Sequence, residues 1–515
     1  MPNRNLFTAL RAAFPADLDQ VAVETADTRE PLFYTWRDLD RGSAMIANLL
    51  DSLDLPPASR VAVQVDKSVE ALMLYLAVLR AGHVYLPLNN AYQAGEIEYF
   101  IGNAEPAVVV CAGRSFHWVS KLAFKLGTRN VFTLDDDRTG TLLERAVHFG
   151  DRHEPAARGG DDLAAILYTS GTTGRSKGAM LTHENLLSNA LVLKDYWAWR
   201  TPEEGGDVLI HALPIFHVHG LFVASHGALL NGSRMIWFSK FDPRATIARF
   251  AEATVFMGVP TLYVRMLAEA ALTKDACAHM RLFISGSAPL LTETFEAWRE
   301  RSGHTILERY GMSETVMLTS NPYRPESARR GGTVGFPLPG VQLRIRDDKG
   351  VPLRTGEIGG IEVKGPNVFK GYWRMPEKTA DEFTTDLWFK TGDVGVVDAE
   401  GYVKIVGRSK DLVISGGYNV YPAEIEGIIN DLPGVAESAV VGVPHPDFGE
   451  AVVAVVVPRP GAQAPDPAAI IATLKGKIAN FKVPKQVFVV NELPRNTMGK
   501  VQKNLLRDQH KGLFA

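Results

Sequence analysis

The residues best suited to chemistry lie in a glycine-rich run at positions 168–178, which reads YTSGTTGRSKG. Gly171 and Gly174 permit backbone angles that are closed to other residues, so several N–H groups can converge on an anion. Lys177 adds a full positive charge. The hydroxyl donors of the run are Thr169, Ser170, Thr172 and Thr173. This combination predicts a cradle for phosphate groups.

The position of this run supports that interpretation. The apolar, strand-like segment AAILY at 164–168 leads directly into it, and phosphate loops of open α/β sheets follow the carboxyl end of a strand. A flexible surface loop would explain the composition but not the position. A P-loop kinase or ATPase is disfavoured, because Gly178 follows Lys177 where the P-loop pattern needs Ser or Thr to hold magnesium.

Further motifs follow in series, and with them the chain resembles the adenylate-forming superfamily of acyl-CoA synthetases, luciferases and peptide-synthetase adenylation domains. One such match would be weak, whereas an ordered series leaves little room for chance. The segments are 285–289 (SGSAP), 310–315 (YGMSET), 372–373 (YW), 388–393 (WFKTGD), 407–411 (GRSKD), 416–419 (GGYN) and 494–500 (PRNTMGK).

The resemblance implies that a carboxylate attacks the α-phosphorus of ATP to give an acyl-adenylate. A carboxylate with a pKa near ~4 is already ionised at neutral pH, so no nucleophile and base pair is required. Thr172 and Lys177 would steady the outgoing pyrophosphate, and Glu314 would bind Mg²⁺ through oxygen. Thr315 would contact the α-phosphate.

The resemblance also assigns roles near the C-terminus. Asp393 would accept hydrogen bonds from the ribose hydroxyls, and Arg408 would lie close to the same sugar. Lys500 would bridge the attacking carboxylate and the phosphate, which makes it the principal catalytic candidate for this step and a candidate target for a lysine acetyltransferase. The other ATP-binding residues implied are Ser285, Gly286, Ser287, Ala288, Pro289, Glu308, Arg309, Tyr310, Gly311, Met312 and Ser313.

In the implied second step, the thiol of coenzyme A attacks the adenylate and AMP leaves. The C-terminal domain would swing about residues 408–411, with Lys410 or Asp411 as the hinge. The swing would bring in Gly416, Gly417 and Tyr418 to line a pantetheine tunnel. Free coenzyme A is favoured over a carrier protein, because the chain stops at Ala515 without a carrier module.

A separate set of residues bears on the acyl substrate. His217 is expected beside the carboxylate pocket, and Met312 would help close a small pocket. Arg234 and Arg281 would read a second carboxylate, which suits the malonyl-CoA and methylmalonyl-CoA synthetase branch that the chain most resembles. Arg234 could instead reach solvent from a strand end and Arg281 could pair with a nearby acid. His217 and His219 lack a third ligand of matching spacing, which disfavours zinc.

Several other functions stay open at this stage. A medium-chain or aryl acyl-CoA synthetase of the same fold would use an apolar pocket without paired arginines. A luciferase-like oxygenase would share the adenylation site. A non-catalytic nucleotide-binding protein is disfavoured by the retained Lys500, Glu314 and Asp393.

The amino-acid composition limits the class of protein to which the chain can belong. The chain has 515 residues, of which 46% are hydrophobic and 22% charged, and its net charge is −3. No polyanion-binding surface is indicated, so nucleic acid is a poor partner. Cys111 and Cys277 are too few for a disulfide framework and favour a reducing compartment. No apolar run reaches the roughly 18 residues of a membrane helix, and we expect a cytoplasmic protein.

Apolar β-type runs alternate with helical patterns along most of the chain, which is the rhythm of parallel βαβ units. We therefore expect an α/β fold with a large N-terminal domain of parallel sheets at 1–409. A small antiparallel β subdomain is expected within it at about 332–406, where short strands and turn residues prevail. A mobile α+β C-terminal domain is expected at 410–515.

Overall fold

The computed structural model describes residues 3–27, 30–169, 176–415, 418–496 and 499–514. The chain divides into two units. The first unit contains Met1–Gln342 and Lys364–Leu387, and the second contains Leu343–Val363 and Trp388–Ala515. The second unit thus includes most of the β subdomain that the sequence analysis grouped with the N-terminal domain. The 409/410 boundary remains a prediction.

The strands of the first unit form two sheets, and most of them are short apolar runs rich in Val, Ile and Leu, as expected for buried parallel strands. In chain order they are β1 Val21–Thr25, β2 Phe33–Thr35, β3 Arg60–Gln64, β4 Val84–Pro87, β5 Val108–Cys111, β6 Asn130–Thr133, β7 Leu163–Thr169, β8 Lys177–Thr182, β9 Val208–His211, β10 Arg234–Trp237, β11 Val255–Gly258, β12 Leu282–Ser285, β13 Leu307–Met312, β14 Val316–Ser320 and β15 Phe336–Pro337.

The described strands of one sheet follow the order β15-β14-β13-β12-β11-β9-β10-β1-β2, and those of the other follow β6-β5-β3-β4-β7-β8. The strands from β13 through β12, β11, β9 and β10 to β1 are parallel, and so are those from β6 to β7. Carboxyl ends of parallel strands meet at one edge of a sheet. This edge is where loops can bring functional groups together.

Helices cover the two sheets. They are α1 Leu6–Ala12, α2 Trp36–Asp51, α3 Val69–Arg80, α4 Ala94–Ala104, α5 Phe116–Lys125, α6 Thr141–Ala146, α7 His183–Tyr196, α8 His226–Leu229, α9 Pro243–Ala248, α10 Pro260–Leu267, α11 Thr292–Ser302 and α12 Pro376–Glu382. Every residue of α3 is buried, because this helix packs on all sides. Trp298 of α11 lies edge-on to Phe283 of β12, with ring centroids 5.0 Å apart, and fixes helix to sheet.

The second unit contains two further sheets. The antiparallel sheet expected near 332–406 is formed by β16 Gln342–Arg346, β17 Gly359–Lys364, β18 Phe389–Val397 and β19 Val403–Arg408. The C-terminal sheet contains β20 Val413–Ser415, β21 Tyr418–Val420, β22 Val435–His445, β23 Gly449–Pro458 and β24 Gln486–Val489. Its helices are α13 Pro422–Asn430, α14 Pro467–Lys475 and α15 Lys503–His510.

Alternating side chains of β22 and β23 supply two apolar cores, one on each face of the C-terminal sheet. The mixed α/β fold with parallel sheets in a large N-terminal part is confirmed. Within the described segments, every helix is too short or too polar to cross a membrane.

Candidate active site

The loop after β12 is shaped by a close contact with the neighbouring strand. Ser285 and Glu308 are register partners in the parallel pair β12 and β13. A Cβ atom on Gly286 would lie 2.5 Å from the guanidinium of Arg309, so any other residue there would force the buried Arg309 side chain to shift. Ser287 then takes a φ of +71°. The structure thus brings the predicted adenine-side loop directly against Arg309.

Arg309 is a buried cation with unused donors. Its side chain is almost wholly enclosed, and its Nε and Nη2 atoms have no hydrogen-bond partner among the described residues. Burial lowers its pKa to about 9, so the guanidinium remains charged at neutral pH. Buried charges require a partner, because an unpaired one costs several kcal/mol. Arg309 is therefore suited to holding an anionic group.

The adjacent Glu308 does not supply that anion. Its Oε1 accepts a hydrogen bond from the backbone N–H of Leu290 at 3.0 Å, while its Oε2 has no partner in the described structure. Burial raises the pKa of Glu308 to about 8. Glu308 is thus mainly protonated at neutral pH, and Arg309 keeps its positive charge for a ligand.

The histidine pair lies on a segment that reaches the same loop. His219 begins a π-helix, His219–Ser225, and its Nδ1 lies 3.3 Å from the Ser287 hydroxyl. Its backbone N–H donates to Nδ1 of His217 at 3.3 Å. Burial and the nearby Arg309 lower the pKa of His219, so its ring is neutral. Across the described ranges, no group of three or more His, Cys, Asp or Glu side chains is placed to hold a metal.

Lys67 supports this histidine segment, a role that the sequence analysis missed. Its ammonium donates to the carbonyl oxygens of His211 and Phe238, each at 2.7 Å, at the carboxyl ends of β9 and β10. It also lies 3.0 Å from Nδ1 of His211, whose Nε2 is 3.0 Å from the carbonyl of Gly220 in the π-helix. In the sequence it is a single lysine shortly after β3, and such a position does not by itself indicate a buried, supporting side chain.

Three side chains form a line from the predicted metal ligand to the predicted phosphate lysine. The Tyr372 hydroxyl donates to Oε1 of Glu314 at 2.9 Å, and the Nζ atom of Lys177 lies 4.2 Å from the centre of the Tyr372 ring. Lys177 also pairs with Glu382 of α12, with Nζ 3.2 Å from Oε1. Tyr372, noted in the sequence only as part of a motif, thus joins two functional candidates.

Thr315 lies next to this line. Its hydroxyl is fully buried and has no partner within the part of the chain that the structure describes. Buried hydroxyls normally form a hydrogen bond, so this atom fits the predicted contact to the α-phosphate. Tyr310, Gly311 and Met312 end β13, and the half-buried Ser313 lies in the turn to β14.

Only the stems of the glycine-rich loop lie within the described residues. Thr169 ends β7, and its hydroxyl donates weakly to the Lys177 carbonyl at 3.4 Å. The Tyr99 hydroxyl donates to the carbonyl of Ser176 at 2.7 Å and so fixes the second stem. The predicted phosphate-binding residues Ser170, Gly171, Thr172, Thr173 and Gly174 lie outside the described residues.

In the second unit, Asp393 and Arg408 are cross-strand partners of β18 and β19. The Arg408 Nε lies 2.7 Å from Oδ1 of the buried Asp393. Burial, together with the positive charges of Arg408 and Lys500, lowers the pKa of Lys410 to about 8. The predicted ribose ligand, its arginine and both functional lysines therefore influence one another within this unit.

The predicted coenzyme A contacts are only partly described. Gly416 and Gly417 lie outside the described residues. Tyr418 is 60% exposed, and its ring stacks on Phe481 with centroids 4.6 Å apart. Ala288 and Pro289, predicted on the adenine side, are exposed.

The structure contradicts the substrate role predicted for Arg281. This side chain is buried against Asp207, donating from Nε to Oδ1 at 2.7 Å and from Nη2 to Oδ2 at 2.5 Å. A third donor reaches the carbonyl of Trp197 at 3.2 Å. Arg281 is therefore a structural partner of Asp207, which is the alternative that the sequence left open.

Arg234 is also badly placed for that role. It is the first residue of β10, and Arg281 immediately precedes β12, so both lie at the amino ends of parallel strands. The loop that contacts Arg309 follows the carboxyl end, about 10 Å away along such a strand. Arg234 lies 3.7 Å from both Glu24 and Glu252. Strand polarity therefore separates both arginines from this loop.

The sequence of this protein matches two known family models. Residues 13–373 match the AMP-binding enzyme family, and residues 424–500 match the AMP-binding enzyme C-terminal domain. The first match covers more than half of the chain, so the protein belongs to the AMP-binding enzyme family. The resemblance to adenylate-forming enzymes is confirmed.

Two relatives and one solved structure are similar to this chain over most of its length. A malonate–CoA ligase of Arabidopsis thaliana is 35% identical over 480 residues, covering 87% of this chain and 78% of the relative. The mitochondrial malonate–CoA ligase ACSF3 of Homo sapiens is 34% identical over 463 residues, covering 83% and 78%. The crystal structure of ATP-bound MatB from Rhodopseudomonas palustris is 54% identical, with a TM-score of 0.95 and 100% coverage of both chains.

Replacing Arg281 should damage stability rather than substrate selection. Arg281→Met leaves Asp207 buried without its cation, and we expect a loss of about 3–5 kcal/mol in the free energy of unfolding. Urea denaturation followed by circular dichroism measures this loss. The control is Arg244→Met, which removes an exposed pair with Glu269 and should cost about 0–1 kcal/mol. A stable Arg281→Met protein with a raised KM for its acid would restore the substrate role.

Proposed function

We propose that this protein is an AMP-forming acid–thiol ligase that makes malonyl-CoA from malonate, coenzyme A and ATP through malonyl-adenylate, releasing AMP and pyrophosphate. Family membership and the malonate–CoA ligases among its relatives support the reaction class. The observation that carries the choice of a dicarboxylate is the buried, incompletely bonded Arg309 beside the loop after β12. Methylmalonate is the second candidate substrate.

Arg309 favours an acid with two carboxylates for an electrostatic reason. One carboxylate must remain open to attack phosphorus, so an anion that stays on the guanidinium has to be a second one. Carboxylates bind a guanidinium through two parallel hydrogen bonds, and Nε and Nη2 lie on one side of the group. A medium-chain or aryl acid would leave the buried charge unpaired, which is costly. Arg309 therefore replaces Arg234 and Arg281, which the sequence analysis predicted to bind the second carboxylate.

In the adenylation step, a malonate carboxylate oxygen forms a bond to the α-phosphorus while the bond to the bridging oxygen of pyrophosphate breaks. No proton is transferred. The protein therefore contributes positioning and positive charge. Lys177 and Thr172 hold the outgoing pyrophosphate, Thr315 binds the α-phosphate, Asp393 binds the ribose, and Lys500 bridges the two reacting groups.

The residues around Glu314 fit a magnesium ion. Mg²⁺ prefers oxygen ligands and is often held by one or two carboxylates together with substrate phosphates and water. Glu314 is a buried carboxylate oriented by the Tyr372 hydroxyl, and the next residue along the chain, Thr315, has a buried hydroxyl. When bound, the ion would neutralise phosphate charge. Glu314 would hold it, and Tyr372 would orient Glu314.

In the second step, the coenzyme A thiol releases its proton to solvent, and its sulfur bonds to the carbonyl carbon as the bond from that carbon to the phosphate oxygen of AMP breaks. We propose that Gly416, Gly417 and Tyr418 line the pantetheine path and that the C-terminal domain turns about Lys410 or Asp411. The exposed Tyr418 ring supports this role, because a binding surface must be accessible. We also propose a cytoplasmic location.

The experiment that tests this function is acid-dependent pyrophosphate release from MgATP, with malonate, methylmalonate, acetate, octanoate and benzoate in parallel, each with and without coenzyme A. We expect malonate to give the largest kcat/KM and coenzyme A to stimulate turnover. Turnover with monocarboxylates alone would transfer the assignment to a general acyl-CoA synthetase. Oxygen-dependent light emission would indicate a luciferase, and ATP binding without any turnover would indicate a non-catalytic protein.

Arg309→Met should raise the KM for malonate by about 10–100-fold, because charge-assisted hydrogen bonds of about 1.5–3 kcal/mol are lost. The KM for ATP should change little. Steady-state pyrophosphate release at varied malonate and then varied ATP separates the two effects. Arg299→Met is the control, since this arginine of α11 is exposed. An unchanged malonate KM with an intact fold would remove Arg309 from substrate recognition.

Lys500 should be required for adenylation but not for thioester formation. We expect Lys500→Gln, or enzyme acetylated at Lys500, to form malonyl-adenylate at least about 100-fold more slowly, because positive charge at the reacting groups is lost. Supplied malonyl-adenylate should still react with coenzyme A. Lys475→Gln, at an exposed lysine of α14, is the control. Undiminished adenylation by acetylated enzyme would exclude both the catalytic role and control by an acetyltransferase.

A further inference from the structure

The ion pair between Lys177 and Glu382 has no role in the reaction described above. Both side chains are mostly buried, with 20% and 23% of their surface exposed. Their separation of 3.2 Å joins the first residue of β8 to the last residue of α12, 205 positions later. Lys177, which is proposed to bind phosphate, thus already has a carboxylate partner.

We propose that Glu382 is a competing counter-ion, which occupies Lys177 before ATP binds and takes it back as pyrophosphate leaves. Glu382 would therefore weaken the binding of ATP and pyrophosphate and speed the release of pyrophosphate. It acts through Lys177 and so is a positioning residue. This inference rests on the proposed function, because it assigns the triphosphate to Lys177.

Glu382 can give up Lys177 because a second cation, Lys378, lies beside its carboxylate. The Nζ of Lys378 lies 3.3 Å from Oε1 of Glu382, the same oxygen that Lys177 contacts. When phosphate draws Lys177 away, Lys378 remains beside the carboxylate. Glu382 is therefore not left as a half-buried, unpaired charge, which would oppose the exchange.

Glu382 is also held in place, so it cannot simply follow Lys177. The next residue, Phe383, stacks on Phe369 with ring centroids 5.8 Å apart. Thr379 of the same helix accepts a hydrogen bond from the backbone N–H of Tyr372 at 2.9 Å. Lys177 in turn lies over the Tyr372 ring. The long lysine side chain is the part that can move between two anions, and the Tyr372 ring contacts its ammonium in the present position.

The test is direct calorimetric titration of ATP and of inorganic pyrophosphate, each with Mg²⁺, into the full-length protein and its Glu382→Gln variant. The amide keeps the size of the side chain and removes its charge. We expect both ligands to bind about two- to fivefold more tightly, as loss of a partly exposed ion pair allows. Pyrophosphate should also become a stronger product inhibitor. Most structural damage would weaken the binding of ATP and pyrophosphate, so tighter binding distinguishes the proposed role from damage.

The matched control is Glu377→Gln, an exposed carboxylate on the same helix. Equal tightening by both variants would mean a general field effect and would overturn the proposal. Unchanged or weaker binding by Glu382→Gln would also overturn it, the latter by showing that Glu382 only orients Lys177. The titration needs neither malonate nor coenzyme A. If ATP binding responds as expected while malonate gives no turnover, the proposed function fails and the counter-ion role stands.

Discussion

The buried charge of Arg309 constrains the carboxyl edge of the parallel strands in the larger sheet. A guanidinium removed from water has to be surrounded by groups that tolerate it. Gly286 provides space where any side chain would collide with Arg309. Glu308 is turned to the backbone of Leu290, and its pKa is raised by burial. His219 is neutral in the same surroundings. The local structure thus preserves one positive charge without neutralising it.

The fold could be predicted from the sequence because the local hydrophobic pattern agrees with the arrangement of strands in the sheets. Alternating β-type runs and helical segments predicted parallel sheets, and short strands with turn residues predicted the antiparallel sheet formed by β16–β19. Sequence motifs also indicated the loop after β12 and the turn that contains Glu314. Glycine and short polar residues mark places where the backbone itself must approach a ligand.

The same reasoning failed for Arg234 and Arg281 because residue type carries no information about distance in space. The partner of Arg281 is Asp207, 74 positions earlier. Strand polarity could have corrected the assignment, since both arginines stand at the start of parallel strands. The partnership of Lys177 with Glu382 had no such signal. It depends on the contact between the end of α12 and the start of β8, which only the three-dimensional structure shows.

Tyr372 gives the phosphate-binding groups a common support. Its hydroxyl is bonded to Glu314, and the face of its ring carries the Lys177 ammonium. These interactions use different parts of one rigid side chain, so a shift of the ring alters the carboxylate and the cation together. Glu382 acts on the same lysine from the other direction. Groups proposed to hold the metal ion and the pyrophosphate are therefore physically coupled, and loosening one of them loosens the support of the other.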